Sequence, residues 1–120
     1  MTTTTMYARV GGGPAVKQVV DLLYTWILAD EQLGPYFEDV TVHELKRHMA
    51  ALLAQVLGGP QEYGGRELGP AHDGLHITDE HYTRVVDLAL AALFKAHAPR
   101  DVVAAVEDTL NAVRAEIVTA

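Results

Sequence analysis

The sequence predicts an all-α fold, because apolar side chains recur at helical spacing along the 120-residue chain and no segment alternates as a β-strand does. Hydrophobic residues make up 49% and charged residues 21% of the chain, proportions typical of a globular protein. We expect one domain over residues 7–120, after a disordered N-terminal tail of residues 1–6. The clearest series steps by three and four residues and comprises Val103, Val106, Leu110, Val113 and Ile117.

Glycine, proline and capping residues mark the ends of the first two long helices. Pro14 follows three glycines, and the apolar steps of Val16, Val20, Leu23 and Ile27 after it predict a helix over residues 14–29. Residues 30–37 are expected to form a turn or a short helix. Thr41 and Glu44 make a capping box, in which each side chain satisfies a free backbone N–H at the start of a helix. The helix that begins there should end at Gly58, Gly59 and Pro60.

Residues 58–77 interrupt the helical pattern and hold six of the ten glycines and two of the five prolines. A connection of this length in a small domain is usually functional. Thr78 can cap the next helix, which should run to about residue 97, and the last helix should follow Pro99. One face of the helix after Thr78 carries Tyr82, Val85, Ala89 and Leu93.

Charge and composition exclude several classes of function. The formal net charge is −7, which argues against a nucleic-acid or anionic-membrane surface. The absence of cysteine excludes disulfides and thiolate metal sites. Residues 1–6 lack the features of a signal peptide, and no apolar run reaches the roughly 18 residues of a membrane span. We therefore expect a cytoplasmic protein.

His72, in the glycine-rich connection, is a candidate metal ligand. A neutral imidazole binds iron, zinc or copper well, but a solvent-exposed loop histidine has the same sequence signature. The chain contains no His-Glu-x-x-His, Walker or Gly-x-Ser-x-Gly motif. Spacing alone leaves both interpretations of His72 open.

Several short segments, in order and without large gaps, cover about residues 7–118. Together they resemble the truncated haemoglobins of the first group. This resemblance implies a two-over-two helical sandwich around haem, with a very short first helix and an extended segment in place of most of the proximal helix. The segments are Tyr7-Ala8-Arg9-Val10-Gly11-Gly12, Asp21-Leu22-Leu23-Tyr24 with Leu28-Ala29-Asp30, Tyr36-Phe37, Leu57-Gly58-Gly59-Pro60 with Tyr63-Gly64, and Ala71-His72-Asp73-Gly74-Leu75 with Ile77 and His81-Tyr82.

The resemblance assigns roles to individual residues. His72 would be the proximal iron ligand, and Phe37 would pack on the porphyrin, although plain core packing would look similar. The Tyr24 hydroxyl would point at the bound gas; the alternative is a core aromatic. Further cofactor contacts are expected from Leu45, Met49, Ile77, Tyr82 and Val85, and propionate contacts from Tyr63, Lys46, Arg47 and Arg66, each of which could instead be an ordinary solvated side chain. The role of His76 is open.

The residues expected on the gas-binding, or distal, side of the haem depart from the family pattern. Leu45, His48 and Met49 lie at i, i+3 and i+4 on one helix face. The family often has glutamine where this chain has Met49, and methionine cannot donate a hydrogen bond, so the pocket should be more apolar, with Tyr24 as its main polar group. His48 matches a histidine that binds iron in some cyanobacterial relatives when no gas is present; a propionate contact or solvent exposure are the alternatives.

The expected function is therefore reversible binding of dioxygen, or of nitric oxide or carbon monoxide, at haem b, as a carrier or store. The final helix has no histidine for covalent attachment, so non-covalent haem is expected. A nitric oxide dioxygenase or peroxidase of the same fold is the alternative, and a partner reductase would favour it. A haem-free helical interaction module is disfavoured by the long connection. We expect a monomer or a weak dimer.

Overall fold

A computed structural model describes residues 5–38, 41–59 and 77–118 of the chain. Within these ranges the backbone forms helices joined by turns, without a β-strand, which confirms the all-α prediction. No helix of this described part is long and apolar enough to cross a membrane. The elements are α1 (Met6–Val10), α2 (Gly12–Ala29), a 3₁₀ turn (Gly34–Phe37), α3 (Val42–Val56), α4 (Asp79–Lys95), α5 (Arg100–Ala112) and α6 (Arg114–Ile117).

α2 is the central element. Its four predicted apolar residues are all buried, and Leu23 is fully inaccessible to solvent. α2 packs against α3 and α4, and α4 packs against α5. The pairs α2–α3 and α4–α5 make the two layers of the two-over-two sandwich that the resemblance implied.

The two glycine-containing motifs meet at Tyr7, on α1. Gly11 and Gly12 adopt positive φ angles of 112° and 72°, which side chains disfavour, and this allows the tight turn from α1 into α2. The Tyr7 N–H donates to the Leu57 carbonyl at 2.9 Å. A Cβ atom at Gly59 would lie only 2.6 Å from the Tyr7 ring. Gly59 is therefore needed because the ring of Tyr7 occupies the space of a side chain.

Three helix boundaries differ from the predicted ones. α1 includes Met6, which the sequence assigns to the tail, because the Thr5 hydroxyl accepts the N–H three residues on, at 3.1 Å, and caps the helix. α2 begins two residues before Pro14, directly after the left-handed glycine turn. α4 ends at Lys95 rather than at about residue 97, and His97 has a positive φ of 61°.

The two predicted threonine caps behave differently. The Thr78 hydroxyl accepts the His81 N–H at 3.1 Å, which confirms that cap. Thr41 occupies the N-cap position of α3 but makes no side-chain capping hydrogen bond, so the predicted capping box is wrong. The Thr41 backbone carbonyl instead accepts the N–H groups of Glu44 and Leu45, at 3.1 and 3.2 Å.

The predicted final helix is divided at Val113 into α5 and α6. The Tyr82 hydroxyl donates to the Leu110 carbonyl at 2.5 Å, in the last turn of α5, where carbonyl groups lack partners within the helix. The Arg114 guanidinium lies 4.8 Å from the centre of the Tyr82 ring and 2.7 Å from the Asp79 carboxylate. These contacts hold Arg114, at the start of α6, on α4 and offer a physical reason for the break.

Candidate functional site

α3 carries an apolar face that the rest of the described structure covers only in part. Leu45, Met49, Leu52 and Val56 are all half-buried, in contrast to the fully buried face of α2. At α4, Val85 is half-buried, as is Ile77 just before the helix. α3 and α4 both pack on α2, so these incompletely covered apolar surfaces fit a planar, largely apolar group such as a porphyrin.

Tyr24 and Phe37 come together in the core cluster against which Leu45 and Met49 also pack. Tyr24 lies on the inner face of α2 and is 5% exposed, while Phe37 ends the 3₁₀ turn and is half-buried. Their ring centres are 6.0 Å apart and the ring planes make an angle of 86°, an edge-to-face arrangement that is favourable for aromatic pairs. The structure therefore brings together two residues that the sequence assigned to one site.

A second polar–aromatic contact fixes the 3₁₀ turn. The Tyr36 hydroxyl lies 2.6 Å from Nδ1 of His81, in the first turn of α4, and the two rings meet edge to face at 5.5 Å. When Nδ1 of His81 carries no proton, the Tyr36 hydroxyl donates this hydrogen bond; in the other tautomer the hydroxyl accepts it. Sequence reasoning missed this pair, since 45 residues separate its members; the only available signal was the position of Tyr36 next to Phe37.

The basic candidates on α3 point in different directions. Lys46 lies 3.3 Å from Asp21 on α2, and Lys17 lies 3.2 Å from the same carboxylate. The hydrogen bond from Lys17, and then that from Lys46, hold the pKa of Asp21 below its usual value. Arg47 and His48 are exposed and line a groove towards α1 and α2. His48 is therefore at the exposed edge of the apolar face of α3 and not among the half-buried residues of that face.

The remaining site predictions concern Tyr82 and the glycine-rich connection. Tyr82 is buried, and its hydroxyl is directed to α5, as described above. Burial raises the pKa of Tyr82 to about 12, against the opposing charge of Arg114. Within the described ranges, no three His, Asp or Glu side chains converge as a metal site. The predictions for His72, Tyr63, Arg66 and His76 lie outside the described residues.

Comparisons with known proteins agree with this architecture. The sequence model of the family described as bacterial-like globin matches residues 5–118. The group 1 truncated hemoglobin GlbN of Nostoc sp. (strain MUN 8820) is 33% identical over 109 residues, which cover 90% of this chain and 92% of the relative. The corresponding protein of Mycolicibacterium paratuberculosis is 33% identical over 114 residues, covering 95% of this chain and 84% of the relative.

A solved structure shows the same fold. The crystal structure of truncated hemoglobin from Tetrahymena pyriformis in its Fe(III) form superposes with a TM-score of 0.86 at 25% identity, covering 98% of this chain and 100% of that one. The match to the family model spans nearly the whole chain, and the two relatives cover it almost completely. The chain therefore belongs to the bacterial-like globin family, as a group 1 truncated haemoglobin.

Proposed function

We propose that this globin binds dioxygen reversibly, with haem b held non-covalently. Membership of the globin family implies haem and a diatomic gas ligand. The observations that carry the proposal are the buried Tyr24, packed edge to face on Phe37 in the core cluster, and the apolar surfaces of α3 and α4 that the described structure covers only in part. When bound, haem would supply an iron able to bind a gas molecule reversibly.

Separate groups of residues would hold the cofactor. His72 would give the proximal imidazole, as the family motif around it implies. Phe37 and the half-buried side chains of α3 and α4 would cover the porphyrin and exclude water. Lys46, Arg47 and Tyr63 remain the candidates for the propionates, with Lys46 already paired to Asp21.

Tyr24 would stabilise the bound gas. Its phenol is a hydrogen-bond donor in an environment that excludes water, where such a bond to a polarised acceptor is strong. Met49 lies half-buried on α3 and offers no donor. The selectivity of the site for dioxygen over carbon monoxide would then depend mainly on Tyr24.

The test is the absorption spectrum of the purified protein and of His72→Ala. The unmodified protein should contain one haem b that acid butanone extracts, and His72→Ala should lose most of it. His76→Ala, in the same connection, is the control and should keep its haem. A normal five- or six-coordinate spectrum of His72→Ala without added imidazole would contradict the assignment of the proximal ligand.

His48 is the residue we propose as a sixth ligand in part of the gas-free ferrous protein. It would produce split low-spin bands that His48→Leu converts to a high-spin spectrum. His43→Leu is the matched control, since His43 is also exposed on α3. A high-spin spectrum of the unmodified ferrous protein rejects this role and leaves His48 to the groove that it lines.

A further inference from the structure

A groove of about 350 Å³ lies between α1, α2 and α3. On α3 its lining includes Arg47, Ala50 and Ala54. These residues follow one another at i, i+3 and i+7, on the opposite side of the helix from Leu45 and Met49. These three residues therefore face away from the proposed haem surface, while His48, also in the lining, lies at the edge of that surface. The volume of the groove is at the lower end of the range of small-molecule sites.

Three hydrogen-bonding groups line the groove without a partner in the described structure. The Arg47 guanidinium makes no ion pair there, whereas Arg9, Arg84 and Arg114 each pair with an aspartate. The Tyr7 hydroxyl, above Gly13, and the His48 imidazole make no hydrogen bond among the described residues either. The described lining holds no Asp or Glu, although the chain has a net charge of −7. The groove thus offers donors and one full positive charge to an anion.

The floor of the groove is apolar. Val16 and Ala54 are almost fully buried, and Ala50 lies beside them in the lining. A ligand that satisfies both parts of the groove has a single anionic group and a short apolar body. A doubly charged phosphate suits it less well, because Arg47 is the only permanently charged residue in the described part of the lining.

We propose that this groove binds a small organic carboxylate of about the size of benzoate. The guanidinium of Arg47 is a planar fork that matches both carboxylate oxygens. The Tyr7 hydroxyl donates a further hydrogen bond, His48 closes the rim, and the apolar body of the ligand rests on Val16, Ala50 and Ala54. The site goes beyond the proposed gas binding. It gives Arg47 and His48 a use other than their candidate roles at a haem propionate and at iron.

The test is a titration of the ferrous carbon monoxide form with benzoate, followed by backbone amide NMR shifts. Carbon monoxide occupies the iron, so the carboxylate cannot bind there. We expect saturable shifts at Gly13, Ala50 and Ala54 with a Kd of about 1 mM, which is reasonable for a ligand this small. Benzamide has the same shape without the charge and should bind at least about tenfold more weakly. Absence of saturation, or equal binding of benzamide, overturns the proposal.

Variants locate the site. Arg47→Gln should weaken benzoate binding by about tenfold or more. Tyr7→Phe should weaken it by only a few-fold, because it removes the hydroxyl but keeps the ring against Gly59. Arg100→Gln, which alters another exposed arginine without an ion pair in the described structure, should leave the Kd unchanged. Unchanged affinity in Arg47→Gln overturns the assignment. Binding of inorganic phosphate at the same residues as tightly as benzoate overturns the carboxylate class.

Discussion

At the scale of single residues, Tyr24 illustrates how much of the candidate site can be predicted from the sequence. The resemblance to the family motif predicts that Tyr24 faces the ligand, and this stays a prediction. The apolar spacing of α2 is compatible with a core position, and the structure buries Tyr24 and adds its contact with Phe37. The link between Tyr36 and His81 could not be predicted, because a hydrogen bond across 45 residues depends on how the helices pack. Local pattern identifies the side chains, and tertiary packing decides which of them meet.

Tyr24→Phe should accelerate dioxygen release by about ten- to a hundredfold, since a hydrogen bond to a charged or strongly polarised group contributes about 1.5–3 kcal/mol. Carbon monoxide is polarised much less when bound, so its release should change far less. Stopped-flow dissociation of both gases from both proteins makes the comparison. Equal, small changes for the two gases would mean that Tyr24 only packs, and would direct attention to His48.

Gly59→Ala should destabilise the protein by about 1–3 kcal/mol, the usual cost of adding an atom to an occupied space. The new methyl group would overlap the Tyr7 ring. Urea unfolding of the single variants and of the double variant with Tyr7→Leu measures the coupling. The cost of Gly59→Ala should shrink when Tyr7 is leucine; an undiminished cost would assign the effect to the backbone of Gly59 instead.

Among the helical elements, the long ones follow from apolar periodicity, whereas their ends follow from local geometry. Thr41 and Thr78 look alike in sequence, each at a helix start. Their ψ angles differ, 99° for Thr41 and 159° for Thr78, and only the second hydroxyl meets a free N–H of its helix. The break at Val113 could not be predicted either, because Arg114, which follows it, contacts Asp79 at a distance of 35 residues in the sequence.

Thr78→Ala should therefore cost about 1 kcal/mol of stability, the usual loss for a helix N-cap. Thr41→Ala should cost close to nothing, since no capping hydrogen bond is lost. Thermal or urea unfolding of the two variants in parallel measures this difference. A loss in Thr41→Ala as large as that in Thr78→Ala would show that the Thr41 hydroxyl caps α3 in solution.

At the scale of the whole molecule, α2 and α4 are joined by the ion pair of Asp30 with Arg84, and α4 and α6 by the contacts of Arg114. The hydrogen bond from Arg84 lowers the pKa of Asp30. A carboxyl group whose pKa is lower in the folded protein stabilises the folded state at pH values above its pKa in the unfolded chain. This stabilisation is lost as the pH falls through the lower, folded-state pKa. The sequence shows the charges but not their pairing, because the partners lie on different helices.

Tyr82 should make the stability of the folded protein depend on pH in the alkaline range, whereas Asp30 acts in the acidic range. Its pKa is raised to about 12 in the folded protein, from an ordinary value of 10.0. Between these values the unfolded chain loses the phenolic proton while the folded one keeps it, so stability should fall as the pH rises from about 10 to about 12. Tyr82→Phe should flatten this part of the profile while lowering stability at neutral pH, as the hydrogen bond to Leu110 is lost. An equally steep alkaline decline in the variant would exclude Tyr82 as its origin.

Two contacts hold α1 on the rest of the protein, and they affect how α1 unfolds locally. A five-residue helix cannot persist by itself in water, yet Tyr7 donates to Leu57 at the end of α3, and Arg9 pairs with Asp101 at the start of α5. The second contact joins residues that are 92 positions apart. The amide protons of α1 should therefore exchange with solvent in the same cooperative event as the ends of α3 and α5, rather than by fraying as chain termini usually do. α1 thus belongs to the global unfolding unit of the protein.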